Sequence, residues 1–232
     1  MTVVLLRHGR STSNTAHTLA GRSPGVELDD RGREQAQAVV SRLAEVAIEE
    51  IVHSPLVRCE QTVEPLARAR GLTPVVEHRL VEVDYGEWTG RELKVLLEEP
   101  LWKIVQQHAS AAVFPGGEGL AQVQARAVAA VREHDARLAE LHGRDVVWVA
   151  CSHGDVIKSV LADALGAHLD GFQRIVAEPA SISVVRYTST RPYVLKMNDT
   201  GADLSGVNTP PVSGDGARAE VSGSVPGGEV RL

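Results

Sequence analysis

The chain has 232 residues, a formal net charge of −6 and only 3% aromatic residues. That charge gives no general attraction for nucleic acid or for anionic membrane surfaces, so an anionic ligand must be held by a local cluster of Arg and His. With so few rings the interior must be built from Val, Leu, Ile and Ala, as in a parallel sheet covered by helices, and the length suits one such α/β core.

No charged-then-apolar leader opens the chain and no apolar run approaches the ~18 residues that span a bilayer, so a cytoplasmic protein is expected. Residues 3–6 form a continuous apolar run that reads as a buried strand, and it ends in Arg7-His8-Gly9. In open α/β sheets ligands collect at the carboxyl ends of such strands. Arg7 offers a planar charged fork there, and Gly9 is expected to turn with positive φ and to let a ligand come close. A covering helix follows over 30–46, on the spacing of Ala36, Val39, Val40, Leu43 and Val46. Ile51 and Val52 mark a second strand. Ser54-Pro55 then reads as an N-cap and first helical position, so a helix runs from there to about Arg70 with Arg58 in its first turn.

A short strand is expected over 74–76 and a turn over 86–90, before a shorter helical stretch. Past Pro115-Gly116-Gly117, the spacing of Leu120, Val123, Ala127, Val131, Leu138 and Leu141 describes a long amphipathic helix. Residues 146–150 are apolar throughout, as a central parallel strand should be, and end in Cys151-Ser152-His153-Gly154. Val156, Ile157, Val160, Leu161, Ala164 and Leu165 then line one face of a helix, and 182–185 form a last strand. From about 200 the composition turns to Gly, Pro and Ser without periodicity, giving one domain over 1–200 and a disordered tail over 201–232. Cys59 and Cys151 show no CxxC spacing and read as small core residues.

His8, Arg58 and His153 therefore converge on one side of the sheet, beside Arg7. Two imidazoles and two guanidiniums suit a phosphoryl group, because Arg pairs with its oxygens bidentately and neutral imidazole is a competent nucleophile. An imidazole that attacks must keep that nitrogen unprotonated, which requires the other ring nitrogen to donate to a backbone carbonyl. A protonated carboxyl must also lie near the leaving oxygen, and Glu82, Asp84 and Glu87 share one turn. No HExxH or clustered Cys/His spacing provides a metal site, and no cofactor is called for.

The chain resembles the histidine phosphatase superfamily, the phosphoglycerate mutase-like branch 1 fold. The matching segments are Leu-Arg-His-Gly-Arg-Ser-Thr-Ser-Asn at 6–14, Leu28 with Gly32 and Gln35-Ala36, Ser-Pro-Leu-Val-Arg-Cys-Glu-Gln-Thr at 54–62, Glu-Val-Asp-Tyr-Gly-Glu-Trp-Thr-Gly at 82–90, Pro-Gly-Gly-Glu at 115–118 and Ser152-His153-Gly154. The resemblance implies a three-layer α/β sandwich with a mostly parallel central sheet flanked by helices. It implies metal-independent hydrolysis of phosphate monoesters through a phosphohistidine on His8, with Arg7, Arg58 and His153 as the phosphate pocket and Glu82 as general acid and base. Asn14 and Ser11 are implied as phosphate contacts, and Gly21, Arg22 and Gly154 complete the substrate-binding set. Arg10 lies near the mouth, and Glu118 has either a rim role or one at the helix start.

Lys158 reads as a solvent-facing lysine. His17, His53, His78, His108, His134, His142 and His168 read as solvated or partly buried. Leu101, Trp102 and Ile104 either form a lid or pack on the core. A phosphoglycerate mutase is the alternative, and Tyr85 resembles a mutase residue. Ala20-Gly21 in place of Thr-Gly, the lack of an Arg-Arg pair between Gly90 and Pro115, and the short segment there favour a phosphatase. A noncatalytic phospho-ligand or protein-binding relative is the second alternative. The partner expected is a small phosphate ester, with neither nucleic acid nor membrane, and a homodimer stays open.

Overall fold

The computed structural model describes residues 1–201, and all but the first residue of the tail expected over 201–232 lies outside the described residues. Among the described residues the sheet has six strands, β1 (Thr2–Arg7), β2 (Ile48–His53), β3 (Val75–Val76), β4 (Val147–Ser152), β5 (Ile182–Tyr187) and β6 (Pro192–Asp199), in the order β3-β2-β4-β1-β5-β6. β1, β2, β3 and β4 run parallel, while β5 and β6 form an antiparallel hairpin on one edge. The helices are α1 (Thr12–Thr15), α2 (Asp30–Arg42), α3 (Val57–Arg70), α4 (Leu93–Leu96), α5 (Pro100–Gln107), α6 (Leu120–His142) and α7 (Gly154–Ala164).

Alternation along the central strands sorts the core into two layers. Val4 and Leu6 of β1, with Val149 and Cys151 of β4, pack against α2 and α3 through Val39, Cys59, Val63 and Leu66. Val3 and Leu5, with Trp148 and Ala150, face α6 and α7 through Val123, Ala127, Val156 and Val160. Both faces of the parallel strands are thus covered, which is why they read as unbroken apolar runs. Leu101 and Trp102 of α5 pack on the second layer, and the Trp102 ring lies 6.2 Å from that of Trp88. Ile104 is exposed.

Several expectations change in detail. α2 ends at Arg42 with Leu43 as its cap, so Val46 packs from the loop. α3 begins at Val57 with Leu56 as N-cap, two residues past the Ser-Pro signal. Leu141, in the last turn of α6, is exposed. Gly9 is not among the positive-φ residues. It is needed because a Cβ there would meet the Gly32 carbonyl oxygen at 2.6 Å, and a Cβ on Gly32 would meet the Arg10 carbonyl oxygen at 2.0 Å. Two glycines therefore let the first turn of α2 close directly on the loop that follows His8. Among the described residues no helix is long and apolar enough to cross a membrane.

Candidate active site

β1 and β4 are paired neighbours in register up to Arg7 opposite Ser152, so their next residues, His8 and His153, emerge side by side at the sheet edge. The His8 backbone N–H donates to the Ser152 carbonyl at 3.0 Å, and the two imidazoles lie 5.2 Å apart, centroid to centroid. On the other side Ala180, at φ +58, donates its N–H to the His8 carbonyl at 3.0 Å. A non-glycine residue in that left-handed conformation costs about 1 kcal/mol, which the surrounding hydrogen bonds offset.

His8 is buried, and its Nδ1 lies 2.7 Å from the Gly9 carbonyl oxygen. A carbonyl only accepts, so Nδ1 carries the proton and Nε2 holds the lone pair. Burial first, then the Arg58 and Arg7 charges, hold the ring well below the usual imidazole range, so it is neutral at pH 7.

Arg58 and Arg7 are both buried. Arg58 Nη2 donates to the Gly21 carbonyl at 2.9 Å and to His153 Nδ1 at 3.2 Å. An Arg cannot accept, so His153 accepts at Nδ1, and its Nε2–H donates to Ser54 Oγ at 2.7 Å. His153 is likewise held well below the usual imidazole range, by burial, then by Arg58 and His8. Arg7 Nη1 donates to the Ala177 carbonyl. Gly154 opens α7 beneath it, where a Cβ would sit 3.4 Å from Arg7 Cζ.

Glu82 is buried, with Oε2 3.8 Å from His153 Nδ1 and Oε1 accepting the Val83 N–H at 2.9 Å. Burial, then the Asp155 charge, raise its carboxyl to about 7 against the opposing pull of Arg58, the Val83 N–H and Arg7. The rival acids are placed differently. The Asp84 side chain is 41% exposed and faces Arg22, and Glu87 is exposed. Of the three carboxyls, only Glu82 shares the buried space with His153.

The outer residues form a brace. Arg22 donates to the Glu82 carbonyl at 2.9 Å and to Glu118 Oε2 at 2.7 Å, and Arg126 donates to the same carbonyl at 3.2 Å and to Glu118 Oε1 at 2.9 Å. Glu118 is thus bound to two arginines, and Gly119 rather than Glu118 caps α6. Gly21 takes φ +51, and a Cβ there would meet Thr89 Oγ1 at 2.9 Å. Ser11 and Asn14 form the capping box of α1, with Asn14 Oδ1 accepting from Ser11 N and Oγ at 2.9 and 2.8 Å. Arg10 is held on Asp29 at 2.6 Å.

Two placements depart from the sequence reading. Lys158 is not solvent-facing: it is 1% exposed and paired with Asp155. His53 is buried, with Nδ1 2.9 Å from the Ser54 carbonyl. Ser54 is the residue that sequence reasoning assigned to capping alone, although the structure puts its hydroxyl on His153. Cys59 and Cys151 are buried free thiols.

Residues 3–200 match the family model of the histidine phosphatase superfamily, branch 1. The chain belongs to this superfamily. It is 30% identical over 207 residues to phosphoserine phosphatase 1 of Hydrogenobacter thermophilus, covering 85% of this chain and 92% of that protein. It is also 32% identical over 187 residues to a Yersinia pestis protein named "Probable phosphoglycerate mutase GpmB", covering 80% and 84%. Among solved structures, it superposes on a mycobacterial glucosyl-3-phosphoglycerate phosphatase in complex with VO3 with a TM-score of 0.77 and 27% identity, covering 85% of this chain and 98% of that one.

Proposed function

We propose that this histidine phosphatase hydrolyses small phosphate monoesters in the cytoplasm through a phosphohistidine on His8. The observation that carries the reading is a neutral imidazole fixed at Nδ1 by the Gly9 carbonyl and flanked by two buried guanidiniums, with a buried carboxyl beside the neighbouring His153 that stays protonated up to about pH 7. His8 Nε2 attacks phosphorus, the bond to the leaving oxygen breaks, and Glu82 gives its proton to that oxygen, releasing an alcohol. Water then attacks the phosphohistidine, its proton passes to the Glu82 carboxylate, the P–N bond breaks, and inorganic phosphate leaves with His8 neutral again. Arg7 and Arg58 hold the transferring phosphoryl oxygens, aided by the N-terminus of α7 at Gly154, and His153 steadies Arg58 through its Nδ1. Asn14 and Ser11 contact the same group from α1, and Gly21 and Arg22 act from the rim by shaping Arg58 and Glu82.

Hydrolysis is favoured over phosphoglycerate mutation by the sequence around the site. Ala20 stands where the mutases carry threonine, and the segment holding α4 and α5 is short and lacks an arginine pair. Because the pocket's positive charge comes from fixed side chains, turnover of an aryl phosphate should be unchanged in excess chelator. Interconversion of 2- and 3-phosphoglycerate should be negligible beside ester hydrolysis. Loss of activity on chelation with recovery on adding a divalent metal would overturn the metal-independent route. Bisphosphate-stimulated mutation faster than hydrolysis would make the chain a mutase.

A further inference from the structure

Two buried charges lie behind the site and take no part in the steps above. Asp155 and Lys158, on the first two turns of α7, are each 1% exposed, with Lys158 Nζ 3.1 Å from Asp155 Oδ1. The other carboxylate oxygen, Oδ2, accepts the Tyr85 hydroxyl at 2.8 Å, and Tyr85 is buried three residues after Glu82. Lys158 also donates to Gln173 Oε1, and its Nζ lies 4.4 Å from the centre of the Phe172 ring.

Both partners of a buried pair give up their hydration, and well-packed apolar residues of similar volume often serve stability as well. The placement of this pair gives it a use that packing alone lacks. Its acidic end is tied through Tyr85 to the turn that carries Glu82, one residue past Gly154. Arg58 and Arg7 pull the Glu82 proton off, and after burial itself Asp155 is the strongest influence keeping it on. Asp155 in turn supports the Lys158 charge, which burial alone would weaken.

We propose that Asp155, oriented by the Tyr85 hydroxyl and balanced by Lys158, is a positioning residue that holds Glu82 in its acid form until the leaving oxygen takes the proton. The inference rests on Glu82 being the acid of the reaction. Without the Asp155 charge, burial alone would oppose the two guanidiniums, Glu82 would give up its proton at lower pH, and esters with poor leaving groups would be served by a smaller protonated fraction.

The test is kcat/KM against pH, with an alkyl and an aryl phosphate, for the native chain and for Asp155→Asn, Asp155→Asn/Lys158→Met and Glu82→Gln. The groups around Glu82 are Arg7 from the end of β1, Arg58 from α3, His153, Asp155 and Lys158 from the start of α7, Tyr85 from its own turn, and Arg22 and Arg126 at its carbonyl, with His8 beyond His153. The native alkyl-phosphate profile should fall above about pH 7. In Asp155→Asn, which keeps the shape and acceptor oxygen, that fall should move down by about one pH unit, a loss of about tenfold at pH 7.5. The aryl ester, with its better leaving group, should change little. The double variant leaves no unpaired buried charge and should keep a melting temperature close to native, with a smaller displacement because the Lys158 charge, which favours the ionised carboxyl, is removed as well. A fall that stays in place in Asp155→Asn, with equal losses for the two esters, would reduce the pair to a structural role and overturn the inference alone. If the fall persists in Glu82→Gln, the acid assignment fails first.

Discussion

His8→Ala should abolish turnover, lowering kcat by about four orders of magnitude or more, with every phosphate ester tested. The size follows from the site: no second group can replace an imidazole whose Nε2 lone pair is held free by the Nδ1 bond to the Gly9 carbonyl. The nearest alternative, His153, has Nε2 committed to Ser54 and Nδ1 to Arg58. The variant should still fold, because the bonds that His8 makes to Ser152 and Ala180 belong to its backbone. Steady-state rates with circular dichroism as a folding control check this. A His8→Ala protein that still turns over aryl phosphate within about tenfold of native would place the nucleophile elsewhere.

Glu82→Gln should divide substrates by leaving group. Alkyl phosphates, whose departing oxygen needs the proton, should slow by about 10²–10⁴-fold, while aryl phosphates should phosphorylate the enzyme at nearly the native rate. Gln keeps the acceptor oxygen for the Val83 N–H, so the turn should hold its shape. The second half-reaction loses its base with either ester, and phosphoenzyme should therefore accumulate. A rate loss equal for alkyl and aryl esters in the first half-reaction would show that Glu82 shapes the pocket without transferring a proton.

The parts of the site that were legible in the sequence are those where burial leaves a continuous signal. β1 and β4 are covered on both faces, so each reads as an apolar run, and the residues after them must emerge where the strands end. That places His8 and His153 together without any contact information. Glu82 was a different case: the residue pattern left Asp84 and Glu87 as rivals, and family position chose among them. Burial and the His153 contact now give a physical reason for that choice.

What was hidden depended on tertiary partners. Ser54-Pro55 has the local chemistry of a helix start, yet the Ser54 hydroxyl lies on His153, 99 residues away in sequence. Lys158 sits three residues past Asp155, a spacing that on an exposed helix is an ordinary surface pair, and only the covering by Tyr85, Phe172 and Gln173 makes it a core pair. β6 escaped notice because Tyr193, Leu195 and Met197 alternate on an exposed face behind Pro192, a pattern typical of an edge strand and weak as a signal. Next to His8 the sequence predicts a turn at Gly9, whereas what that glycine provides is room for the Gly32 carbonyl.

The most direct test of the account is to find where the phosphoryl group goes. Glu82→Gln mixed with an aryl phosphate and quenched within its first turnover should carry one phosphoryl group per chain, labile to acid and stable to base, on the peptide containing His8. A phosphoryl group on His153 or on any other residue, or a burst of product with no protein-bound phosphate, would contradict it.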